Sequence, residues 1–236
     1  MSAAATERGA PPPGVRTVAG ASPEPTRVVL IRHGEATCNV EGIVGGHRGC
    51  TGLSPTGQHQ AQLLQTRLDK TGELGGAVAL YSSMLARAIE TARIVAPGIG
   101  DGTAAVADCD LCELHPGEAD GLTWSEFGLR YGEPDFDTDP DTIVAPGGES
   151  WSSFVTRASN AVERLVQVHR GELVVLVCHA GVIESTMISF LEIPPALSRR
   201  GWTRIVHASL TEWEWIPTES RWVLVRFNDA CGVPTA

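Results

Sequence analysis

Basic residues are scarce in this sequence. Its 236 residues include 18 Lys and Arg against 28 Asp and Glu, which gives a formal net charge of −10. Binding of nucleic acid depends mainly on basic side chains that neutralise phosphates. The composition therefore excludes a general nucleic-acid binder, and any site for an anion has to be built locally.

Long apolar runs are missing as well. The longest strand-like run, residues 173–178, falls far short of the about 18 apolar residues that mark a membrane-spanning helix, so we expect no membrane insertion. Residues 1–26 are mainly Ala, Pro, Gly, Ser and Thr and lack the apolar core of a signal peptide. We expect a flexible tail there.

The cysteine spacing of a small, disulfide-rich secreted domain is also absent. The six cysteines are Cys38, Cys50, Cys109, Cys112, Cys178 and Cys231. Together with the lack of an export signal, this predicts free thiols in a reducing compartment and a cytoplasmic location.

Short apolar runs alternate with amphipathic helical patterns along the rest of the chain. Candidate strands are residues 27–31, 77–81, 173–178, 211–216 and 221–227. Candidate helices run from 54–55 to 72, from 82–83 to 94, from 150 or 152 to 171 and from 182 to 191. Between about 116 and 148 the sequence is rich in Gly, Pro, Asp and Glu and shows no long periodic segment.

This alternation predicts an α/β fold: a three-layer sandwich with a mostly parallel sheet flanked by helices. With 42% hydrophobic residues, the chain can bury one core, so we predict a single domain over residues 27–236. Residues 114–149 are interpreted as a small lid over the carboxyl edge of the strands. Ligands bind at that edge in such sheets, and both His33 and His179 follow a candidate strand directly.

Five short motifs occur in order along the chain. They are Arg32-His33-Gly34-Glu35 with Asn39, residues 83–92 (SMLARAIETA), Leu111-Cys112-Glu113, residues 146–150 (PGGES) and residues 177–181 (VCHAG). Together they resemble the histidine phosphatase superfamily, in its phosphoglycerate mutase-like branch, from about residue 27 to 229. The resemblance implies that the phosphoryl group of a phosphomonoester passes onto His33 and that Arg32, Asn39, Arg87, His179 and Ala180 bind the substrate.

The residue types fit that chemistry. A phosphomonoester is nearly a dianion, and the planar guanidinium of Arg meets two phosphate oxygens at once, which suits Arg32 and Arg87. His33 has to be neutral at the attacking nitrogen, with its other nitrogen hydrogen-bonded to a backbone carbonyl near Gly34. His179 would stabilise the transferring group as a cation or a hydrogen-bond donor, and Glu113 would protonate the leaving alkoxide and then activate water. We expect no cofactor and no metal in this reaction.

Several positions leave alternatives open. His179 taken alone fits a buried core histidine, Arg87 a surface ion pair, and Asn39 the cap of a turn. Glu118 and Asp120 lie near Glu113 in sequence and compete with it for the acid–base role. The chain also departs from the family pattern at Ala36, in the loop 45–53 and around Cys231.

Cys109-x-x-Cys112 suggests a zinc or redox motif. Zinc needs four ligands, and no second pair of Cys or His is seen at ligand spacing, so we do not predict a metal site.

Arg130 is the only Lys or Arg in residues 114–150. Their nine acidic residues are Glu118, Asp120, Glu126, Glu133, Asp135, Asp137, Asp139, Asp141 and Glu149. The resemblance implies that a mutase would carry two arginines and a lysine here, so we predict hydrolysis of a small-molecule phosphate ester. We also expect the acidic residues to repel highly anionic substrates from the pocket, which favours an ester that is neutral or cationic in its remainder. Phosphoglycerate mutase-type transfer and a non-catalytic module that binds phospho-ligands are the alternatives, and a homodimer is compatible with the sequence.

Overall fold

One mixed sheet forms the centre of the computed structural model, which describes residues 24–100, 103–132, 134–193, 201 and 203–232. Its six strands are β1 (Thr26–Arg32), β2 (Ala79–Ser82), β3 (Ala105–Ala107), β4 (Leu173–Cys178), β5 (Leu210–Ile216) and β6 (Arg221–Asp229). They lie in the order β3-β2-β4-β1-β5-β6. The pairs β1–β4, β2–β4 and β2–β3 are parallel, whereas β5 is antiparallel to both of its neighbours.

Helices cover both faces of this sheet. They are α1 (Thr37–Glu41), α2 (Pro55–Thr71), α3 (Ala86–Val95), α4 (Trp124–Tyr131), α5 (Trp151–Val168) and α6 (Ala180–Phe190). Successive side chains of a strand point to opposite faces. In β1, Val28 and Leu30 pack with α5 and α6, while Val29 and Ile31 pack with α2 and α3. The predicted three-layer α/β class is therefore confirmed.

Local signals explain where the helices begin. Ser54 caps α2 because its hydroxyl accepts a hydrogen bond from the Gly57 N–H at 3.0 Å, and Pro55 occupies the first helical position. The helix α3 begins at Ala86, later than the predicted start at 82–83. Ser82 belongs to β2, and the hydroxyl of Ser83 accepts from the Leu85 N–H at 3.1 Å in a turn before the helix.

The segment 114–149 contains a short helix that the sequence pattern did not indicate. Thr123 and Glu126 form a capping box at the start of α4. This helix spans only 8 residues and is too short to produce a visible period. Its Phe127 packs with Val44 and Val144 in a small cluster of its own.

The start of the first strand differs by one residue from the prediction. β1 begins at Thr26, one residue before the predicted start, while residues 1–23 of the predicted tail lie outside the described residues. Within the described part of the chain, no helix combines the length and the apolar character needed to cross a bilayer.

Candidate active site

The parallel pairing of β1, β4 and β2 brings three chain segments together at the carboxyl edge. Arg32, the last residue of β1, lies opposite Cys178, the last residue of β4. The His33 N–H donates to the Cys178 carbonyl at 3.0 Å, and the Ser83 N–H donates to the Val177 carbonyl at 2.9 Å. The residues that follow these strands therefore meet in one place.

A backbone hydrogen bond orients the His33 ring and leaves one of its nitrogens unprotonated. Its Nδ1 lies 2.6 Å from the carbonyl oxygen of Gly34. Because a carbonyl can only accept, Nδ1 carries the proton and Nε2 keeps its lone pair. Gly34 is required at this point, since a Cβ there would collide with the backbone carbonyl of Gly57.

Arg87 joins the two histidines. Its Nε lies 3.1 Å from Nε2 of His33 and 3.3 Å from Nδ1 of His179, and its Nη1 donates to the Gly45 carbonyl at 2.6 Å. The residue is buried and is positioned by the first turn of α3. It is therefore part of the site, and it makes no ion pair with any residue that the structure describes.

His179 lies edge-on to His33, with ring centroids 5.0 Å apart. Its Nδ1 accepts from Arg87, so Nε2 carries the proton and donates to the Ser83 hydroxyl at 2.8 Å. Burial and the neighbouring Arg87 charge lower the pKa of His33 and of His179 well below the ordinary histidine value. Both imidazoles are neutral in the free site, and the single N–H of His179 is directed to Ser83, so this ring can donate to a substrate oxygen only after Nδ1 gains a proton.

Arg32 supplies a second guanidinium. Its Nη1 donates to the Ile205 carbonyl, and its buried Nε has no hydrogen-bond partner among the described residues. Burial lowers the pKa of this guanidinium, and the Arg87 charge lowers it further. A bound anion would stabilise both cations and give Nε of Arg32 an acceptor.

Of the three carboxylates that the sequence offered for the acid–base role, Glu113 reaches the cavity. Its Oε2 accepts from the Gly181 N–H and its Oε1 from the Leu114 N–H, each at 3.1 Å. Asp120 instead accepts from three backbone N–H groups of the loop 45–53, and Glu118 accepts from the Tyr131 hydroxyl at 3.3 Å. Neither competitor lines the cavity.

Asn39 and Ala180 both line the cavity. The Oδ1 atom of Asn39 accepts from the Ala36 N–H at 3.2 Å, which is the capping contact that the sequence left open. Ala180 is the first residue of α6, where free backbone N–H groups favour an anion.

The cavity has a volume of about 570 Å³ and is lined by two chemically different groups of side chains. Arg32, His33, Arg87 and Glu113 belong to the polar group. The large apolar side chains of the lining are Ile43, Val44, Leu114, Trp124, Phe127, Phe136, Val144 and Trp151. Such a pocket fits a phosphate joined to an apolar or weakly polar group.

Two residues near the reacting groups were missed by the sequence reasoning. Glu184 lines the cavity one helical turn after Ala180, and burial together with the Glu113 charge raises its pKa to about 7. The His207 ring centroid lies 5.7 Å from that of His33. The helical spacing of Glu184 from Ala180 was a readable signal, whereas His207 follows no motif.

The acidic residues of the segment 114–149 have another role than expected. None of those that the structure describes lines the cavity, so the prediction that they repel anions from the pocket is corrected. Asp120 binds a backbone loop, Glu126 caps α4, and Glu149 forms an ion pair with Arg157 at 2.7 Å. The carboxylates that line the cavity among the described residues are Glu113 and Glu184.

The spacing argument against zinc at Cys109 and Cys112 is also corrected. His115 follows Cys112 by three residues, and the fold adds His47 from the loop 45–53. The reading from spacing alone missed His47 because it lies 62 residues from Cys109 in sequence.

Comparisons with known proteins agree with this geometry. The histidine phosphatase superfamily (branch 1) matches residues 28–230. Phosphoglycerate mutase-like protein 4 of Arabidopsis thaliana is 36% identical over 161 residues, which are 67% of this chain and 68% of that protein. Metal-independent phosphoserine phosphatase of the same plant is 33% identical over 183 residues, or 73% of this chain and 72% of that protein.

A solved structure of a phosphatase is also similar to this chain. Mycobacterial glucosyl-3-phosphoglycerate phosphatase, in complex with VO3, superposes with a TM-score of 0.69 and 28% identity, covering 86% of this chain and 99% of its own. The chain belongs to the histidine phosphatase superfamily. It is a phosphatase of that family, in which a phosphohistidine intermediate is typical, and the predicted enzyme class is confirmed.

Proposed function

We propose that this enzyme hydrolyses phosphomonoesters of small alcohols through a phosphohistidine formed on Nε2 of His33. The observation that carries the proposal is the position of Arg87, whose Nε lies within 3.3 Å of both His33 and His179. The Gly34 carbonyl fixes the tautomer that leaves Nε2 free to attack. Arg32 and Arg87 then hold the phosphate oxygens, with Asn39 and the N-terminus of α6 at Ala180 as further contacts.

Glu113 acts as general acid and then as general base. Its carboxyl lies at the edge of the cavity, where it can give a proton to the leaving alkoxide while the Nε2–phosphorus bond forms and the phosphorus–oxygen bond breaks. The same group, now a carboxylate, takes a proton from the water that attacks the phosphohistidine. The N–H of neutral His179 is bound to Ser83, so Nδ1 donates to the transferring phosphoryl oxygens after the bound dianion has favoured uptake of a proton from solvent at this nitrogen. The reacting atoms need no metal in this scheme.

The cavity favours esters without a second negative group. Among the described residues, Arg32 and Arg87 are the only guanidinium or ammonium groups in its lining. We assign both of them to the transferred phosphate. Glu184 lies in the same cavity and opposes a carboxylate on the substrate. The relatives named for phosphoserine and for glucosyl-3-phosphoglycerate hydrolysis support a small organic phosphate, and the lining favours an uncharged or aminated alcohol.

The test compares phosphate release from phenyl phosphate, phosphoethanolamine and 3-phosphoglycerate, with conversion of 3- to 2-phosphoglycerate followed in parallel. Phosphate release from the first two should exceed that from 3-phosphoglycerate, with no mutase product. Faster interconversion than release would establish the mutase alternative, and binding without turnover would establish the binding module. A cytoplasmic location and a homodimer stay predictions of the sequence.

A further inference from the structure

A cluster of four side chains beside the active site is not used by the reaction. His47, Cys109, Cys112 and His115 each offer one ligand atom, and these atoms all lie within 4.8 Å of one another. Nε2 of His47 and Nε2 of His115 each lie 3.8 Å from Sγ of Cys109. None of the four lines the substrate cavity.

The distances suit a tetrahedral ion. With Zn–S bonds of about 2.3 Å and Zn–N bonds of about 2.0–2.1 Å, neighbouring sulfur and nitrogen ligands lie about 3.6 Å apart. The two contacts of the Cys109 sulfur, at 3.8 Å, are already near that value. The remaining pairs of ligand atoms lie within 4.8 Å of one another, so they have to approach by at most about 1 Å.

The donor set selects the metal. Two cysteine sulfurs and two imidazole nitrogens suit Zn²⁺, whereas Mg²⁺ and Ca²⁺ require oxygen ligands. Four protein ligands complete a tetrahedral shell and leave no position for water or substrate, which is typical of structural zinc.

Outer contacts already orient two of the four ligands. The Nδ1 atom of His115 lies 3.6 Å from Oε2 of Glu149, so a carboxylate stands on the side of the ring opposite the ligand nitrogen. Metal-binding histidines usually have such a partner. Arg157 fixes that carboxylate with two contacts of 2.7 Å, and the Ser83 hydroxyl donates to Sγ of Cys112 at 3.3 Å.

The backbone that carries the ligands is fixed independently of the cluster. Arg157 donates to the carbonyl oxygens of Asp110 and Cys112 at 2.8 and 3.1 Å. The carboxylate of Asp120 accepts from the N–H groups of Gly46, Arg48 and Gly49, which surround His47. The ligands are therefore held near one another before any ion binds, which lowers the conformational cost of binding.

We propose that His47, Cys109, Cys112 and His115 bind one Zn²⁺ ion as a structural site that joins the loop 45–53 to the segment carrying Glu113. Four metal–ligand bonds form, the two thiol protons pass to solvent, and no oxidation state changes. The site does not depend on the proposed reaction, because its metal content is measured without a substrate.

The first experiment measures zinc in full-length protein produced with added zinc and purified without chelators or a metal-binding tag. His47→Ala and Cys109→Ser are compared with the wild type and with two controls outside the cluster, His59→Ala and Cys231→Ser, both at exposed positions. Close to one zinc per chain is expected in the wild type and both controls, and little or none in the two cluster variants. Equal zinc in all five proteins would overturn the assignment.

A second measurement uses the wild type alone, so that it does not depend on the folding of variants. Zinc-free protein is titrated with Co²⁺, whose tetrahedral complexes with thiolates absorb strongly in the visible and near-ultraviolet. Saturation at one Co²⁺ per chain, reversed by Zn²⁺, and a higher Tm with Zn²⁺ are expected. A folded wild type that contains no zinc as purified and shows no cobalt–thiolate absorption would contradict the proposal.

Discussion

Glu113 and Gly181 are in direct contact at the start of α6. The Gly181 N–H donates to Oε2 of Glu113 at 3.1 Å, and a Cβ on Gly181 would collide with Oε1 of the same carboxyl. That Cβ would also lie 2.9 Å from the ring of Phe154. Glycine at this position therefore allows the Glu113 carboxyl to reach the cavity that His33 also lines.

The proposed role of Glu113 predicts a dependence on the leaving group. Glu113→Gln removes the proton that the alkoxide needs, so kcat for an alkyl phosphate should fall about 10²–10⁴-fold. p-Nitrophenolate leaves without such help, so formation of the phosphoenzyme from p-nitrophenyl phosphate should change much less. Single-turnover kinetics separate this step from the later attack of water. An equal loss for both esters would mean that Glu113 only supports the structure.

Arg87 is predicted to act through the shape of its guanidinium as well as its charge. Arg87→Lys keeps the charge but cannot contact His33, His179 and the Gly45 carbonyl together, so kcat/KM should fall about 10²-fold or more. Arg93→Lys, at an exposed position of the same helix, is the matched control and should match the wild type. Full activity of Arg87→Lys would show that catalysis does not require the guanidinium.

Glu184 predicts a pH-dependent selectivity. Burial, together with Glu113, raises its pKa to about 7, so the side chain is neutral below that pH and negative above it. The preference for phenyl phosphate over 3-phosphoglycerate should therefore increase by up to about tenfold from pH 6 to pH 8.5. The ratio of kcat/KM for the two esters is compared between the wild type and Glu184→Gln, because the ionisation of each substrate is the same for both proteins. The additional rise should be missing in Glu184→Gln; a parallel rise in the variant would contradict the assignment.

His207 predicts a loss of stability in acid. Burial and the charges of Arg32 and Arg87 lower its pKa to about 3, so the unfolded chain binds a proton that the folded chain does not. Above the pKa that this histidine has in the unfolded chain, the ring is neutral in both states and stability does not depend on its titration. Below that pKa the unfolded chain gains a proton, so the free energy of unfolding falls as the pH drops. Between pH 7.5 and 5.0 the free energy of unfolding should fall by about 1–2 kcal/mol more in the wild type than in His207→Gln. Urea titrations at both pH values measure this difference, and equal losses in the two proteins would disprove it.

The sequence predicted the parts of the site that follow strand ends. Arg32-His33 and His179 come directly after buried apolar runs, and parallel strands bring their carboxyl ends to one edge. The start of α2 was also readable, because Ser54 and Pro55 are a cap and a first-turn proline. In both cases the signal lies within a few residues of the feature that it predicts.

Features that depend on distant segments could not be predicted in this way. The contact between His47 and Cys109 is created by packing of the loop 45–53 against the segment after β3, and no local pattern records it. The position of His207 near His33 likewise depends on the pairing of β5 with β1. The acidic residues after Glu113 were misjudged for the same reason, since composition does not tell which carboxylates face a cavity.

In the proposed reaction, the phosphoryl group passes onto Nε2 of His33. The most direct measurement is to mix the enzyme with a ³²P-labelled phosphomonoester, quench it within one turnover and test the labelled protein for acid and alkali stability. A phosphohistidine at this position predicts a label that is lost in acid, survives alkali, maps to His33 and is absent from His33→Ala. A label that survives acid, or one that persists in His33→Ala, would contradict it.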